Sequence, residues 1–297
     1  MQGLLADRVA MVTGAGRGLG RAHALALARH GARVLVNDLD AAAAAQVCAE
    51  IAQLGGEALS DFASVQDAPA VERMVGAALS RWGRVDILVN NAGILRDRTF
   101  AKLDVADFRL VVDVHLMGSV NCTRAVWPHM KERGYGRVVL TTSSSGLYGN
   151  FGQTAYSAAK MALVGLMQTL ALEGERHDIR VNCLAPSAAT QMTDELWPPE
   201  ELAALDPQRV SPAVVALASE RAPNKCILLA GAGSFKLAHI TMTRGIYLAD
   251  EGRAAEQILE QWNRIADRAG EIVPGTGFEQ YRFEVSQARA NPPGAKS

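Results

Sequence analysis

The sequence predicts an α/β fold, a doubly wound parallel sheet in a single domain with a C-terminal extension. Two observations carry this expectation. Short β-branched runs alternate with long Ala-rich amphipathic stretches, which is the sequence form of repeated βαβ units. The first run leads straight into a glycine-rich turn and then a helix, the arrangement in which open α/β sheets hold phosphate groups.

Taken in order, strands are expected at Arg8–Val12, Arg33–Asn37, Val85–Asn90, Gly136–Thr142 and Ile179–Leu184, with weaker signals at Glu57–Asp61 and Lys225–Ala230. Helices are expected at Leu19–His30, Ala41–Leu54, Pro69–Trp82, Val105–Glu132 and Ala155–Arg176, with Gly31 and Gly83 standing just past two of their ends. Residues 1–233 read as one domain. Within it, 186–212 carries five prolines, acidic residues and Trp197, and reads as an irregular lid. Residues 234–297 read as an extension packing on the same domain, with a helix at Gly252–Ala269 and a tail from about Ala288 that frays.

Composition excludes several classes. At 49% hydrophobic and 21% charged, the 297-residue chain can bury a core. Thirty basic residues against 31 acidic ones leave a formal charge of -1, so neither nucleic acid nor an anionic membrane is an expected partner. Cys48, Cys122, Cys183 and Cys226, like the six histidines, are scattered without metal-ligand spacing. Reduced buried thiols and no metal are expected. The start lacks a secretory pattern and the closing Ala295-Lys296-Ser297 is not a peroxisomal address, so the expected location is cytoplasmic.

The chemistry sits at strand ends. Thr13-Gly14-Ala15-Gly16-Arg17-Gly18-Leu19-Gly20 has the spacing TGxxxGxG, in which glycines let a pyrophosphate approach the backbone at a helix N-terminus. Asp38, closing the second strand, can accept from ribose hydroxyls and would repel a 2′-phosphate, which favours NAD over NADP. Arg17 argues the other way, but Leu39 adds no second basic group. Tyr156 and Lys160 stand four apart on one helical face, and an ammonium beside a phenol favours the phenolate needed of a base. The spacing alone is commonplace. It gains weight from the uncharged Thr141-Thr142-Ser143-Ser144-Ser145-Gly146 stretch at a strand's carboxyl end.

Together, Thr13 to Gly20, Asn90-Asn91-Ala92-Gly93, Ser143 and Tyr156-Ser157-Ala158-Ala159-Lys160 resemble the short-chain dehydrogenase/reductase family over about residues 8–230. The resemblance implies a Rossmann-like fold with a seven-stranded parallel sheet, a nicotinamide cofactor and hydride transfer between an alcohol and a ketone. It implies Tyr156 as acid/base, Ser143 as hydrogen-bonding partner of the substrate oxygen, and Lys160 as a ribose ligand that lowers the Tyr156 pKa. It places Gly14, Arg17, Gly18, Leu19, Gly20, Asp38, Ser64, Val65, Asn91, Ala92, Gly93, Ala188, Ala189 and Thr190 at the cofactor, with Ser64 a weaker adenine contact than the usual Asp. A homodimer or homotetramer built on the two long helices is also implied.

A narrower resemblance comes from Ile94-Leu95-Arg96-Asp97-Arg98, Val114-His115-Leu116, Tyr148 to Gln153 and Gln191-Met192-Thr193. These are similar to the (3R)-hydroxyacyl-CoA dehydrogenase units of the type 2 peroxisomal multifunctional enzymes, which implies NAD-dependent oxidation of an acyl-CoA thioester. In those enzymes a hydratase is attached, and no room for one is expected here. His115 stands where the wider family has an Asn that anchors a water, and Pro186-Ser187 stands for its Pro-Gly. Leu147, Phe151, Met192, Leu196 and Trp197 are expected to enclose an acyl tail. The alternatives are a steroid or other alicyclic alcohol, a ketone reductase, and a cofactor-binding scaffold without turnover; an intact Ser143, Tyr156 and Lys160 set argues against the last.

Overall fold

A computed structural model describes residues 3–189, 202, 204–248 and 251–290. The chain forms two compact units, one ending at Ala238 and the other beginning at His239. In the first unit, strands β1 (Val9–Thr13), β2 (Arg33–Asn37), β3 (Ala58–Asp61), β4 (Ile87–Asn90), β5 (Gly136–Thr141), β6 (Ile179–Ser187), β7 (Ile227–Gly231) and β8 (Ser234–Ala238) form one sheet in the order β3-β2-β1-β4-β5-β6-β7-β8. The strands from β1 to β7 run parallel.

The eighth strand goes beyond the seven implied by the family resemblance and pairs antiparallel to β7. Its two-residue turn, Ala232-Gly233, has positive φ at both positions (50° and 77°), the backbone that a tight hairpin needs. Ser234, Phe235, Lys236 and Leu237 are exposed, so the segment shows no alternating burial by which a sequence could mark it as a strand.

Helices α1 (Gly18–Arg29), α2 (Ala41–Gln53) and α3 (Ala68–Trp82) follow the expected stretches. Asp40 and Asp67 cap α2 and α3 by accepting from Ala43 N–H and Ala70 N–H, and left-handed Gly83 ends α3. The single helix expected over Val105–Glu132 is a correction. It is α4 (Val105–Val112), a π-helical turn (Asp113–Met117) and α5 (Gly118–Arg133). Hydrophobic periodicity locates apolar faces but does not report which carbonyl each N–H bonds, so it passes over a π turn. The short α6 (Ser144–Tyr148) and the long α7 (Thr154–Gly174) follow, then α8 (Ser211–Ala218).

Two apolar layers sandwich the sheet. On one face Val12, Val34 and Val36 pack with Ala24, Leu27 and Val214; on the other Met11, Leu35 and Leu88 pack with Met74, Val126 and Met167. Among the described residues, Thr154–His177 is the one helical stretch long and apolar enough to span a membrane. Its Leu163, Val164, Met167 and Ala171 are buried in the second layer, which explains the apolar run as a core helix. The cysteines are all unpaired, with Cys122 and Cys183 buried and Cys48 and Cys226 only half-buried.

In the second unit the helix expected over Gly252–Ala269 is two shorter ones, α9 (Ala254–Glu260) and α10 (Trp262–Ile265). A further helix, α11 (Gly277–Ala290), goes beyond the sequence expectation, and it carries the tail from Ala288 to Ala290 in regular structure. None of its residues is buried, and Phe278 and Tyr281 are exposed.

Candidate active site

The site lies at the carboxyl ends of β1, β4 and β5, on either side of the point where the strand order reverses. Gly14 and Gly18 have φ of +61° and +52°. A Cβ on Gly14 would lie 2.8 Å from Ala92 Cα, and one on Gly20 would lie 2.1 Å from the Gly14 carbonyl oxygen. The loop is therefore backbone folded on backbone, with no side chain standing at the N-terminus of α1 between Gly18 and Gly20. A pyrophosphate fits this cradle. Leu19 turns away from it, packing against the core.

The cradle is clamped from β4. Thr13 Oγ1 accepts from Asn91 N–H (3.0 Å) and Ala92 N–H (3.1 Å), while Asn91 Nδ2 donates to the carbonyls of Thr13 (3.1 Å) and Gly14 (3.0 Å). Asn91 thus holds the loop that would hold a cofactor. Asp38 Oδ2 accepts from Gly16 N–H at 2.8 Å and Oδ1 from Asp40 N–H at 3.0 Å, which fixes the carboxylate beside the cradle. Asp40 joins the site beyond the sequence expectation. It ion-pairs with Arg17 at 2.7 Å, so the basic group that argues for a 2′-phosphate already faces a carboxylate. Val65 is buried and its carbonyl accepts from Asn121 Nδ2 (2.9 Å), while the neighbouring Ser64 Oγ accepts from Gln66 N–H. Ala188 is buried and Ala189 N–H donates to Leu205 O (2.7 Å). Thr190 lies outside the described residues, as do Met192, Leu196 and Trp197 and about half of the segment expected to act as a lid.

Ser143, Tyr156 and Lys160 are brought together. Ser143, 8% exposed, N-caps α6, and its hydroxyl stands near enough to the Tyr156 phenol to work on its pKa. Lys160 is 3% exposed; its Nζ donates to Thr141 O (2.6 Å) and stands 5.5 Å from the centre of the Tyr156 ring. Close approach of α6 to α7 makes this possible, since a Cβ on Gly146 would come within 2.8 Å of Lys160 Cβ. Burial pulls the Lys160 pKa down from 10.5 to about 7.

The expectation that Lys160 lowers the Tyr156 pKa is corrected. Burial raises that pKa, the Ser143 hydroxyl works to lower it, and the Asp97 charge adds to the rise. The physical reason is that the Lys160 ammonium points at the Thr141 carbonyl and has itself been desolvated. A base at Tyr156 therefore depends on groups that stabilise the phenolate at the moment of transfer.

His115 lies in the π turn, 2% exposed, its ring edge-on to Tyr156 at 5.2 Å and 85°. Nε2 sits 3.0 Å from Ile94 N and 2.8 Å from Ile94 O, while buried Nδ1 has no partner among the described residues. Burial, reinforced by the Lys160 charge, lowers its pKa to about 3, so the ring is neutral. Gly93 makes room for it: a Cβ there would lie 2.3 Å from His115 Cε1. Arg96 pairs with Asp107 at the surface (3.5 Å), and Phe151 is almost wholly exposed rather than enclosed.

The sequence profile of the short chain dehydrogenase family matches residues 8–201. A short-chain type dehydrogenase/reductase of Mycobacterium tuberculosis is 44% identical over 279 residues, covering 91% of this chain and 97% of that protein. The full-length peroxisomal multifunctional enzyme type 2 of Drosophila melanogaster superposes with a TM-score of 0.83 at 37% identity, over 97% of this chain and 51% of that one. The chain thus spans about half of that larger protein. A 7α-hydroxysteroid dehydrogenase complexed with NADH and 7-oxo glycochenodeoxycholic acid superposes with a TM-score of 0.73 at 31% identity, over 78% of this chain and 96% of that one.

Proposed function

The chain belongs to the short chain dehydrogenase family, and from that premise we propose that it is an NAD-dependent oxidoreductase that interconverts (3R)-hydroxyacyl-CoA and 3-ketoacyl-CoA. The observation that carries the reading is the convergence of buried Ser143 and Lys160 on Tyr156, at the strand ends next to a glycine cradle. Bound in the cradle, a nicotinamide cofactor supplies the hydride acceptor. The protein's own residues handle the proton and the geometry. Ser143 holds the substrate oxygen and stabilises the phenolate that forms as Tyr156 takes its proton, while Lys160 holds the nicotinamide ribose.

NAD is favoured because the fixed Asp38 carboxylate suits ribose hydroxyls and repels a 2′-phosphate, and because Arg17 is paired with Asp40. The thioester substrate is supported by the likeness to the multifunctional enzyme across 97% of this chain. A steroid alcohol is the second reading, favoured by the likeness to a hydroxysteroid dehydrogenase. We also propose a homodimer or homotetramer, supported by the apolar groove that Trp127, Leu166 and Leu170 line between α5 and α7. A cytoplasmic setting agrees with four unpaired cysteines.

The test follows NAD reduction with (3R)-hydroxyacyl-CoA of increasing chain length beside a steroid alcohol. Rates should improve over the first several carbons, each buried CH₂ adding about 0.8 kcal/mol of binding. Activity on the steroid alone would replace the substrate class.

A further inference from the structure

A chain of hydrogen bonds leads from Ser143 to a carboxylate that the proposed chemistry does not use. Ser143 Oγ accepts from Ser145 N–H at 3.1 Å. Ser145 Oγ donates to Gln153 Oε1 at 2.8 Å and accepts from Asn150 Nδ2 at 2.8 Å. Gln153 Nε2 donates to Asp97 Oδ2 at 2.7 Å. The backbone makes the same connection, for Arg98 N–H donates to Gly152 O at 2.9 Å.

The order of donors along this chain follows from its last member. A carboxylate only accepts, so Gln153 must turn its NH₂ to Asp97 and its carbonyl oxygen to Ser145. Ser145 must then spend its own proton on Gln153 and take one from Asn150. The backbone N–H of the Ser145 so anchored can only donate and holds Ser143 Oγ as an acceptor, with the Ser143 proton left for Tyr156 or the reacting oxygen. An uncharged amide at position 97 would permit either orientation of Gln153. Meanwhile Asp97 Oδ1 is buried without a partner among the described residues, a cost that packing alone does not explain.

Resting on the dehydrogenase reading above, we propose that Asp97 is a positioning residue: by accepting from Gln153 it orients Gln153 and anchors Ser145, whose backbone N–H holds Ser143 Oγ in place. The groups facing Tyr156 are Ser143 from the start of α6, His115 from the π turn, Lys160 from α7 and Asp97 from the loop after β4. The Asp97 charge also opposes the Tyr156 phenolate, which gives the proposal a second readout.

The experiment exchanges the polarity of the pair. Asp97→Asn keeps shape but lets Gln153 turn over and loosens Ser145, and kcat should fall about fivefold with KM little changed. Gln153→Glu sets two carboxylates face to face, and kcat should fall at least about tenfold. In the double variant, Asp97→Asn with Gln153→Glu, the introduced amide donates to the introduced carboxylate, which accepts from Ser145 as Gln153 did. There kcat should return to within about threefold of the original. A tyrosinate absorbance titration, with the matching Tyr156→Phe protein subtracted, is read without substrate or cofactor. Its Tyr156 step should move to lower pH in Asp97→Asn. Single variants that keep their kcat, a double variant no better than the worse single one, or a Tyr156 step that stays put would overturn the proposal. An original chain that oxidises another alcohol but no thioester strikes the substrate reading instead, and the exchange is then read on that alcohol.

Discussion

The two ends of the sheet are built from the same strands and treat buried polar groups in opposite ways. At the amino end, Asp86 is fully buried and accepts from Val9 N–H (2.8 Å) and from Arg84 Nε and Nη2, the latter at 2.6 Å. Arg137, also fully buried, donates to the carbonyls of Gly136, Asp178, Ser219 and Glu220 and to the Asp178 carboxylate. The Tyr135 ring lies against Arg8 and Arg137, with their guanidinium carbons 3.6 Å and 4.1 Å from its centre. At the carboxyl end, buried Asn90 Oδ1, Thr141 Oγ1 and His115 Nδ1 have no partner among the described residues. A paired buried charge is an element of stability; an orphaned polar atom is a cost the fold carries where chemistry is done.

The comparison breaks first at Tyr156. Tyr156→Phe keeps the ring and removes the proton, and turnover should fall about 10³-fold or more while the melting temperature and NAD affinity hold. A comparable loss of stability would mean that the carboxyl end is structural too. Next comes the amino end. Arg137→Leu removes a fully buried guanidinium together with its five hydrogen bonds and should cost about 3 kcal/mol of stability in urea unfolding, with kcat of the folded protein unchanged.

Lys160 is the exception, a buried cation at the catalytic end. With its folded pKa at about 7 and its ordinary value at 10.5, the unfolded chain binds the extra proton between those limits. Stability of the protein without cofactor should therefore rise as pH increases from about 7 toward 10.5, by at most about 1.4 kcal/mol per pH unit, and the penalty is full below 7. Lys160→Met should flatten this rise, which melting curves across that range would show. The smallest effect is expected at the rim. Asp38→Ala removes both the ribose acceptor and the repulsion of a 2′-phosphate, and should narrow the NAD preference about tenfold in kcat/KM. An original enzyme that already prefers NADP would show that Arg17 outweighs Asp38.

Sequence legibility follows the same division by physical cause. The glycine cradle can be read because its requirement is local: only glycine suits positive φ and backbone approaching backbone, so Gly14, Gly18 and Gly20 announce it. The Tyr156 and Lys160 pair can be read from one helical turn. The clamp of Asn91 on Thr13, 78 positions away, and the run from Asp97 through Gln153 to Ser145, which joins residues up to 56 apart, are products of tertiary folding and leave no periodic trace. Asp40 escapes notice for a different reason. It caps α2 and pairs with Arg17 at once, and only the capping role is visible in the order of residues. The sign of the Tyr156 shift is hidden because adjacency shows a charge but not the burial that outweighs it.

The most direct test of a directed catalytic end is handedness. A carbon held by Ser143 and Tyr156 presents one face to a fixed cofactor, so the site must distinguish mirror-image alcohols. The measurement is the initial rate of NAD reduction by the unaltered protein with (3R)- and (3S)-hydroxyacyl-CoA of one chain length. The account predicts turnover of the 3R isomer and little of the 3S; equal rates for the two, or a preference for 3S, would contradict it.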